Sequence, residues 1–162
     1  MPDAVTIRRA TLSDMPTVGR LGALLVRTHY DFDQQRFLAP TPGTPHAYGS
    51  YLGSLLDDPI IVILVAEKSG EVVGYSYAGN EGTDYMALRG PAGAIYDILV
   101  DPPHRREGIG HKLLDATIDA LKKLGAPRVV LSTAERNTDA QRLFESAGFR
   151  RTMIEMTREL ER

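Results

Sequence analysis

The segment Arg105–Gly110, which reads Arg-Arg-Glu-Gly-Ile-Gly, carries residue types that suit an anion. It lies between an apolar run, Ile95–Val100, and a helical pattern that begins at Ile109. The first turn of a helix leaves backbone N–H groups without partners, and the macrodipole makes that end positive. Gly108 and Gly110 let the backbone approach an anion because they have no Cβ atom. The segment therefore predicts a pyrophosphate site for a nucleotide-like cofactor.

Two common glycine-rich phosphate motifs do not fit this segment. A dinucleotide fingerprint requires a third glycine where this chain has Leu113. A Walker loop requires Lys and then Ser or Thr after its last glycine, whereas Gly110 is followed by His111 and Lys112. The pattern that remains is R-x-x-G-x-G, placed after a strand that ends at Val100.

A second pattern follows downstream. The helix closes at Gly125 and Pro127, and a short β-rich run comes next. The spacing N-x-x-A-x-x-L-[Y]-x-x-x-G-F is then matched by Asn137, Ala140, Leu143, Phe144, Gly148 and Phe149. Together the two patterns resemble the GCN5-related N-acetyltransferase (GNAT) superfamily, and the resemblance is specific from about Ile95 to Phe149.

Hydrophobic periodicity predicts the elements that must position these motifs. Strands are expected at residues 5–8, 60–67, 71–78, 94–100, 129–133 and 151–160, and residues 80–92 as a loop. Helices are expected after a cap at Ser13 or Asp14, and at residues 48–56, 109–124 and 139–147. The 162 residues predict one α/β domain. The resemblance implies the GNAT fold, in which a mixed twisted sheet is flanked by helices and two splayed parallel strands hold the cofactor.

The resemblance implies acetyl-CoA as the acyl donor and assigns residues to it. The pyrophosphate would be bound by Arg105, Arg106, Glu107, Gly108, Ile109, Gly110 and the His111 N–H, with the Glu107 carboxylate directed to solvent. The backbones of Ile98, Leu99 and Val100 would bind the pantetheine arm, and the Ile98 N–H would act as an oxyanion donor. Asn137 matches a cofactor-binding position, but Asn also favours the N-cap of a helix, and one residue could do both.

The general acid and base do not follow the family pattern. Relatives carry a tyrosine acid where this chain has Phe144, which cannot donate a proton. The glutamate base of some relatives falls on Ser132, and a base on the central strand falls on Ala94. Tyr96, two residues further on the same face, is the best catalytic candidate, although a packing role is at least as compatible.

The remaining polar residues leave several alternatives open. Asp97 lies on the opposite face of a regular strand and is expected to be structural. A water chain from Glu81, Asp84 or Tyr30 could accept the proton of the amine. The acceptor cleft would be walled by Tyr30, Phe32, Tyr48, Tyr51 and Tyr85, and a cationic amine would suit Asp31, Asp33, Glu81 and Asp84, although all of these residues also fit ordinary packing or surface roles.

Composition excludes several classes of protein. A net charge of −2 argues against a nucleic-acid partner, and zero cysteines exclude thiol catalysis. The longest apolar run, residues 60–66, is too short to span a bilayer, and residues 1–5 lack the apolar core of a signal peptide. The four histidines show no metal spacing, so no metal is expected. We therefore expect a cytoplasmic protein that binds neither membranes nor metals.

Three functional hypotheses follow from these residues. The first is an acetyl-CoA-dependent N-acetyltransferase that transfers the acetyl group directly to a primary amine of a small molecule or peptide. The second is a GNAT-fold regulatory or sensor module that binds acyl-CoA but turns over weakly, because Phe144 and Ser132 replace catalytic groups. The third is transfer of a longer acyl group, or transfer to oxygen. A homodimer is compatible with the sequence.

Overall fold

The structure, a computed structural model, describes residues 4–161. Within this range the chain forms one five-stranded sheet, in which the strands follow the sequence order from β1 to β5. The strands are β1 (Val5–Arg9), β2 (Ile61–Lys68), β3 (Glu71–Glu81), β4 (Ala92–Val100) and β5 (Val129–Leu131). Strands β1 to β4 pair antiparallel with one another in sequence order, and β5 pairs parallel to β4. The mixed α/β sheet expected from the sequence is confirmed.

Helices cover both faces of the sheet. In the described part of the chain they are α1 (Met15–Phe32), α2 (Thr44–Gly53), α3 (Ile109–Lys123) and α4 (Thr138–Ser146). A capping box between Thr11 and Asp14 precedes α1, and Pro16 lies in its first turn. Gly125, with φ of 91°, ends α3 in the left-handed conformation that glycine adopts without strain. The proline and glycine signals read from the sequence therefore operate in the fold, whereas Asp14, at the N-cap of α1, makes no side-chain capping hydrogen bond to that helix.

Strand β2 is buried on both faces, which accounts for its unbroken apolar sequence. Val62 and Leu64 pack on the side of α3, whereas Ile63 and Val65 pack on the side of α1 and α2. This follows from the alternation of side chains along a strand. Burying each such side chain stabilises the fold by about 1.5–3 kcal/mol, so the sheet is held by two cores.

An irregularity in β4 decides which way the residues after Ile95 point. In the β3–β4 ladder Tyr77 pairs with Asp97, and the next residue of β3 pairs with Ile95. Tyr96 is therefore the extra residue of a β-bulge. The bulge reverses the alternation beyond it, so that Ile95 and Ile98, three residues apart, both contact the core on the α3 side.

Several predicted boundaries shift. Strand β3 continues to Glu81 and β4 begins at Ala92, so the predicted loop 80–92 shortens to residues 82–91. A bridge between Asp84 and Arg89 narrows that loop further. Helix α2 begins at Thr44 rather than at residue 48, because the proline-rich segment supplies a proline to its first turn.

The strand predicted at residues 151–160 is wrong. In the described range no helix or strand follows Ser146, and residues 150–161 are all exposed. Alternating apolar residues predicted a strand there, but a strand also needs a partner edge, and β5 pairs with β4 alone.

Over the same described residues, none of the helices has the length and hydropathy that a membrane span requires.

We predict that Gly19→Ala destabilises the contact between α1 and α2. A Cβ atom at this position would lie 2.2 Å from the carbonyl oxygen of Pro45, so the two helices would have to move apart. Overpacking of this kind costs about 1–3 kcal/mol, which a lower urea midpoint of unfolding would report. Gly43→Ala is the matched control, because its Cβ would meet nothing closer than 3.9 Å. Equal midpoints for the two variants would contradict this account of the helix contact.

Candidate cofactor groove and acyl-transfer site

The turn before α3 presents backbone N–H groups to solvent. Gly108 occupies the N-cap with φ of 80°, and a Cβ there would meet no atom within 4 Å. The first turn closes with a bond from the Lys112 N–H to the Gly108 carbonyl, at 3.2 Å. Within residues 4–161 no acceptor binds the N–H groups of Ile109, Gly110 and His111. This end of the helix therefore offers three donors to an anion.

The charged side chains of the turn differ in their orientation. Arg105 folds back and its Nε donates to the carbonyl oxygen of Val100, at 3.0 Å. Arg106 is exposed, and its φ of 64° is left-handed. Glu107 is exposed, as expected, and its Oε2 also lies 2.9 Å from Lys68 Nζ, which holds the pKa of that carboxyl below its usual range. The negative charge beside the donors is thus paired with a lysine.

Strands β4 and β5 pair over a short segment and then separate. They pair only where Gly93–Ile95 lies beside Val129–Leu131. Beyond this segment β4 continues to Val100, whereas β5 ends at Leu131. The edge of β4 beyond Ile95 therefore faces a gap.

The bulge determines which backbone groups face this gap. The Gly93 N–H donates to Arg128 on the β5 side, whereas the Asp101 N–H donates to Val73 on the β3 side. In an antiparallel ladder successive residues alternate, so Leu99 points its N–H and C=O to β3. Ile98 and Val100 consequently point theirs into the gap. The sequence analysis grouped Leu99 with Ile98 and Val100 as residues whose backbones bind the pantetheine arm. In the structure the backbone of Leu99 is instead directed to β3, away from the gap.

The gap opens into a groove bordered by four elements. It is lined by Leu25 and His29 of α1, Ile95 to Ile98 of β4, Leu131 to Thr133 at β5, and Asn137, Ala140 and Phe144 at α4. Asn137 caps α4, since its Oδ1 accepts from the Ala140 N–H at 3.2 Å. The Asn137 amide nitrogen donates to no other residue in the described range, so capping leaves it available to a ligand.

Three positions that the sequence resemblance matched to catalytic groups carry no strong acid or base. Phe144 is buried, and its ring centroid lies 6.0 Å from that of Phe149. Ser132 lines the groove, and Ala94 is buried in β4. The proton chemistry of the groove must therefore come from other side chains.

Tyr96 occupies the bulge and projects toward the α1 side of the sheet. Its ring centroid is 4.7 Å from that of Tyr77, and its hydroxyl donates to the Glu81 carboxylate. Arg89 holds the same carboxylate through Nη2, at 2.7 Å. Burial and the Glu81 hydrogen bond raise the pKa of Tyr96. Tyr96 therefore stays protonated and is a poor base.

Asp97 was expected to lie on the face opposite Tyr96, and this expectation is wrong. Tyr96 stacks on Tyr77, and Asp97 binds Tyr75, two residues before Tyr77 on the same face of β3. The bulge places both side chains on the α1 side. The one sequence signal for it is the spacing of three between Ile95 and Ile98, which a regular strand with one apolar face does not show.

The Asp97 carboxylate is half-buried between two tyrosines. Its Oδ2 accepts from the Tyr75 hydroxyl at 3.0 Å and from the Tyr48 hydroxyl. Tyr48 reaches this position across Gly22, where a Cβ would lie 2.2 Å from the Tyr48 ring. Burial raises the pKa of the Asp97 carboxyl, and the two tyrosine hydrogen bonds partly offset that rise.

His29 is a groove residue that sequence reasoning did not select. Its Nδ1 donates to the Leu25 carbonyl oxygen at 2.8 Å, which leaves Nε2 as an acceptor. The ring packs edge-on against Phe37, with centroids 5.1 Å apart. A histidine that lies one helical turn after its carbonyl partner has no distinctive spacing, so the sequence gives no signal for it.

Only some of the residues predicted to wall the acceptor cleft lie near one another in the structure. Tyr48 and Tyr51 lie on the α1 side of the sheet, where the Tyr51 and Tyr77 ring centroids are 6.4 Å apart. The groove lining does not include Tyr30, Phe32 or Tyr85, nor the acidic residues Asp31, Asp33 and Asp84. Asp84 is engaged by the N–H groups of its own turn.

Comparison with known proteins gives several partial and full-length likenesses. The chain is 38% identical over 96 residues to a mycothiol acetyltransferase of Thermobispora bispora, covering 57% of this chain and 31% of that protein. It is 28% identical over 148 residues to the uncharacterized N-acetyltransferase YhfO of Bacillus subtilis, covering 90% and 89%. It is 38% identical over 60 residues to the ribosomal protein bS18-alanine N-acetyltransferase of Escherichia coli, covering 37% and 40%. The chain thus spans about a third of the mycothiol relative's length.

Solved structures share the fold over nearly the whole chain. A mutant of the BH1408 protein of Bacillus halodurans superposes with a TM-score of 0.81 at 23% identity, covering 96% of this chain and 99% of that one. The aminoglycoside N-acetyltransferase AAC(6')-Iy, in complex with CoA, has a TM-score of 0.79 at 16% identity, covering 99% and 97%. The model of the Acetyltransferase (GNAT) family matches residues 25–149. The chain therefore belongs to the GNAT acetyltransferase family.

Proposed function

We propose that this protein is an acetyl-CoA-dependent N-acetyltransferase that transfers the acetyl group directly to a primary amine. The observation that carries the proposal is the gap between β4 and β5, because it joins the backbone groups of Ile98 and the Val100 N–H to the N-terminal end of α3. An extended arm with amides, linked to a pyrophosphate, is the ligand whose chemistry matches both ends of this groove.

The residues present fit such a ligand. The N–H groups of Ile109, Gly110 and His111 and the Arg106 guanidinium would bind the pyrophosphate, and Gly108 leaves the approach open. The groove itself adds further polar groups for the amides of the arm: the backbones of Ile98 and Val100 and the side-chain amide of Asn137. When bound, acetyl-CoA supplies an acyl thioester, whose polarised oxygen the Ile98 N–H would face.

We assign the proton of the amine to Asp97. This carboxylate lines the groove beside Ile98, and no hydrogen bond occupies its Oδ1 in the described chain. An amine attacks only when neutral, and its ordinary pKa is near 10.4, so a base within reach is the harder requirement. A carboxylate with a raised pKa is a stronger base than an exposed one. Asp97 would take the proton as the C–N bond forms.

The leaving thiolate does not require a dedicated acid. A thiol has an ordinary pKa near 8.5, so the thiolate departs more readily than an alkoxide would. This makes the apolar Phe144 compatible with turnover. Tyr96, held by Glu81, would then wall the acceptor side of the groove, and its hydroxyl would orient the amine.

The acceptor class follows from the charges that face the groove. The Asp97 carboxylate lines the groove on the α1 side of the sheet, near the rings of Tyr77 and Tyr96, whereas the nearby Glu81 is paired with Arg89 and lies outside the lining. Carboxylates beside aromatic faces favour a cation, as a primary ammonium is before it loses its proton. One relative is named for mycothiol and another for an alanine of ribosomal protein bS18, so the names of the relatives do not select one size of acceptor.

We predict that acetyl-CoA raises the melting temperature more than NAD or ATP does, because only acetyl-CoA has an arm for the gap. Arg106→Glu should weaken coenzyme A binding about tenfold in calorimetry, since it reverses one charge at the anion site. Arg9→Glu, an equal charge change on the exposed far edge of the sheet, is the control. Equal or larger stabilisation by NAD would overturn the cofactor assignment.

We predict that Asp97→Asn lowers kcat for acetyl transfer by about 10²–10⁴-fold, the contribution typical of a general base. The KM for acetyl-CoA should change little, because the backbone of β4 is unaltered. Tyr96→Phe is the companion variant and should lower kcat by less than tenfold. Thiol release with a panel of primary amines measures both. A large loss in Tyr96→Phe with an active Asp97→Asn would instead assign the proton to the Tyr96–Glu81 pair.

The same assay separates the enzyme from a regulatory module. Tight coenzyme A binding with no thiol release for any primary amine would contradict the proposed transferase and support a sensor. That outcome is distinct from a failure of the cofactor assignment, in which coenzyme A itself does not bind.

We predict that Tyr48→Phe moves the acid limb of the kcat/KM profile to higher pH. The Tyr48 hydroxyl lowers the pKa of Asp97, so its removal raises that pKa. Asp97 then remains protonated, and inactive as a base, up to a higher pH. Activity on the alkaline side should be largely retained. An acid limb at the same pH as in the parent would show that the titrating group is not Asp97.

A further inference from the structure

His29 lines the groove but takes no part in the chemistry proposed above. It lies in the last turn of α1, four residues after Leu25, so the two side chains share one face of the helix and line the groove together. The imidazole ring is half-buried and packs edge-on against Phe32 and Phe37, with centroids 5.9 and 5.1 Å away. The ring is therefore held in a fixed orientation in the wall of the groove.

One hydrogen bond fixes the position of the proton on the His29 ring. Nδ1 lies 2.8 Å from the Leu25 carbonyl oxygen, and a carbonyl can only accept, so Nδ1 carries the hydrogen. Nε2 of the neutral ring is then an acceptor. No group in the described part of the chain bonds to Nε2, and this nitrogen is not sealed from solvent. His29 thus contributes an open acceptor to the groove.

His29 and Asp97 border the same groove from two different elements, α1 and β4. Burial raises the pKa of Asp97, and the hydroxyls of Tyr48 and Tyr75 and the His29 ring oppose that rise, so His29 and Asp97 are within electrostatic reach of each other. Over residues 4–161 no hydrogen bond joins the two side chains, and each keeps one atom free, Asp97 Oδ1 and His29 Nε2. Two neighbouring acceptors suit a group that has two donors.

A neutral primary amine has two N–H groups, and their fates in acyl transfer differ. As the nitrogen forms the C–N bond, the C–S bond breaks and the sulfur leaves with its electron pair. One N–H proton passes to Asp97, and the other stays on the nitrogen of the amide product. Inside the groove the retained N–H loses its hydrogen bond to water, so an acceptor beside it stabilises and orients the attacking nitrogen.

We infer that His29 Nε2 accepts the retained N–H and thereby selects primary amines over secondary amines. The inference rests on the proposed function, because that function assigns the transferred proton to Asp97. A secondary amine has a single N–H, which must pass to Asp97, and it presents a carbon atom to Nε2 instead. The acceptor then has no partner, which disfavours the secondary amine. His29 exchanges no proton with the substrate and acts as a positioning residue.

Steady-state kinetics with phenethylamine and N-methylphenethylamine measure this preference, since the ring of both probes suits the rings of Tyr77 and Tyr96. His29→Phe keeps a packed ring but removes the acceptor. It should lower kcat/KM for phenethylamine about tenfold and for N-methylphenethylamine less than about threefold, with the KM for acetyl-CoA unchanged. His29→Gln, which keeps an acceptor oxygen, should retain most of the preference. His46→Phe, at an exposed histidine of α2, is the matched control.

The Tyr96 hydroxyl is the competing acceptor, because it donates to Glu81 and still has oxygen lone pairs. Tyr96→Phe should leave the ratio of the two kcat/KM values close to that of the parent. Loss of the preference in Tyr96→Phe, or an undiminished preference in His29→Phe, would overturn the inference while thiol release still supported the transferase.

Nitrogen NMR of the histidine rings tests the contact without turnover. The protein is titrated with phenethylamine in excess coenzyme A, which has no acyl group to transfer. The Nε2 resonance of His29, assigned by its absence from His29→Gln, should shift as it accepts a hydrogen bond, whereas the His46 resonances should not. The trimethylammonium analogue of phenethylamine has no N–H and should leave Nε2 unchanged.

The NMR outcomes separate this inference from the proposed function. A shift of Nε2 with phenethylamine alone, in a protein that releases no thiol, would support the His29 contact and refute only the transferase. No shift with phenethylamine, or equal shifts with both cations, would overturn the role of His29 even if amines are acetylated.

Discussion

The β-bulge at Tyr96 is the constraint on which the site depends. One extra residue in β4 reverses the alternation of the strand, as the opposite directions of the Gly93 and Asp101 N–H groups show. Beyond the bulge, Ile98 and Val100 direct their backbones to the gap instead of to β3. The same residue places Asp97 beside Tyr96, on the face that α1 and α2 cover. The orientation of the backbone donors and the position of the half-buried carboxylate thus both follow from one extra residue in β4.

The half-buried Asp97 is supported by elements that are distant in sequence. A carboxylate without partners in this position would be strongly disfavoured, and the hydroxyls of Tyr48 and Tyr75 reduce that cost. Tyr48 comes from α2 and crosses α1 at Gly22, so the contact between the two helices is part of the site. The packing of α1 and α2 against the sheet therefore affects the pKa of Asp97 on β4.

Sequence reasoning predicted most of the helices and strands, and the glycine-containing turn before α3, because these depend on local signals. The glycines of the turn before α3 and Gly125 at the end of that helix determine local structure through their own backbone conformation. The apolar run of β2 predicts a strand because its side chains are buried on both faces. The bulge could not be predicted, since it is defined by pairing with β3. Asp97 was therefore assigned to the opposite face. Residues 151–160 have the alternation of a strand, but whether they pair depends on which edge of a sheet is available to them, which their own sequence does not determine.

The central claim is that the bulge aims the Ile98 and Val100 backbones at the cofactor arm. Residue-resolved amide hydrogen exchange, with and without coenzyme A, tests it most directly. We expect slower exchange at Ile98, Val100 and the first turn of α3 on binding, and no change at Leu99, whose N–H is already paired with β3. Protection at Leu99 without protection at Ile98 and Val100 would contradict the account.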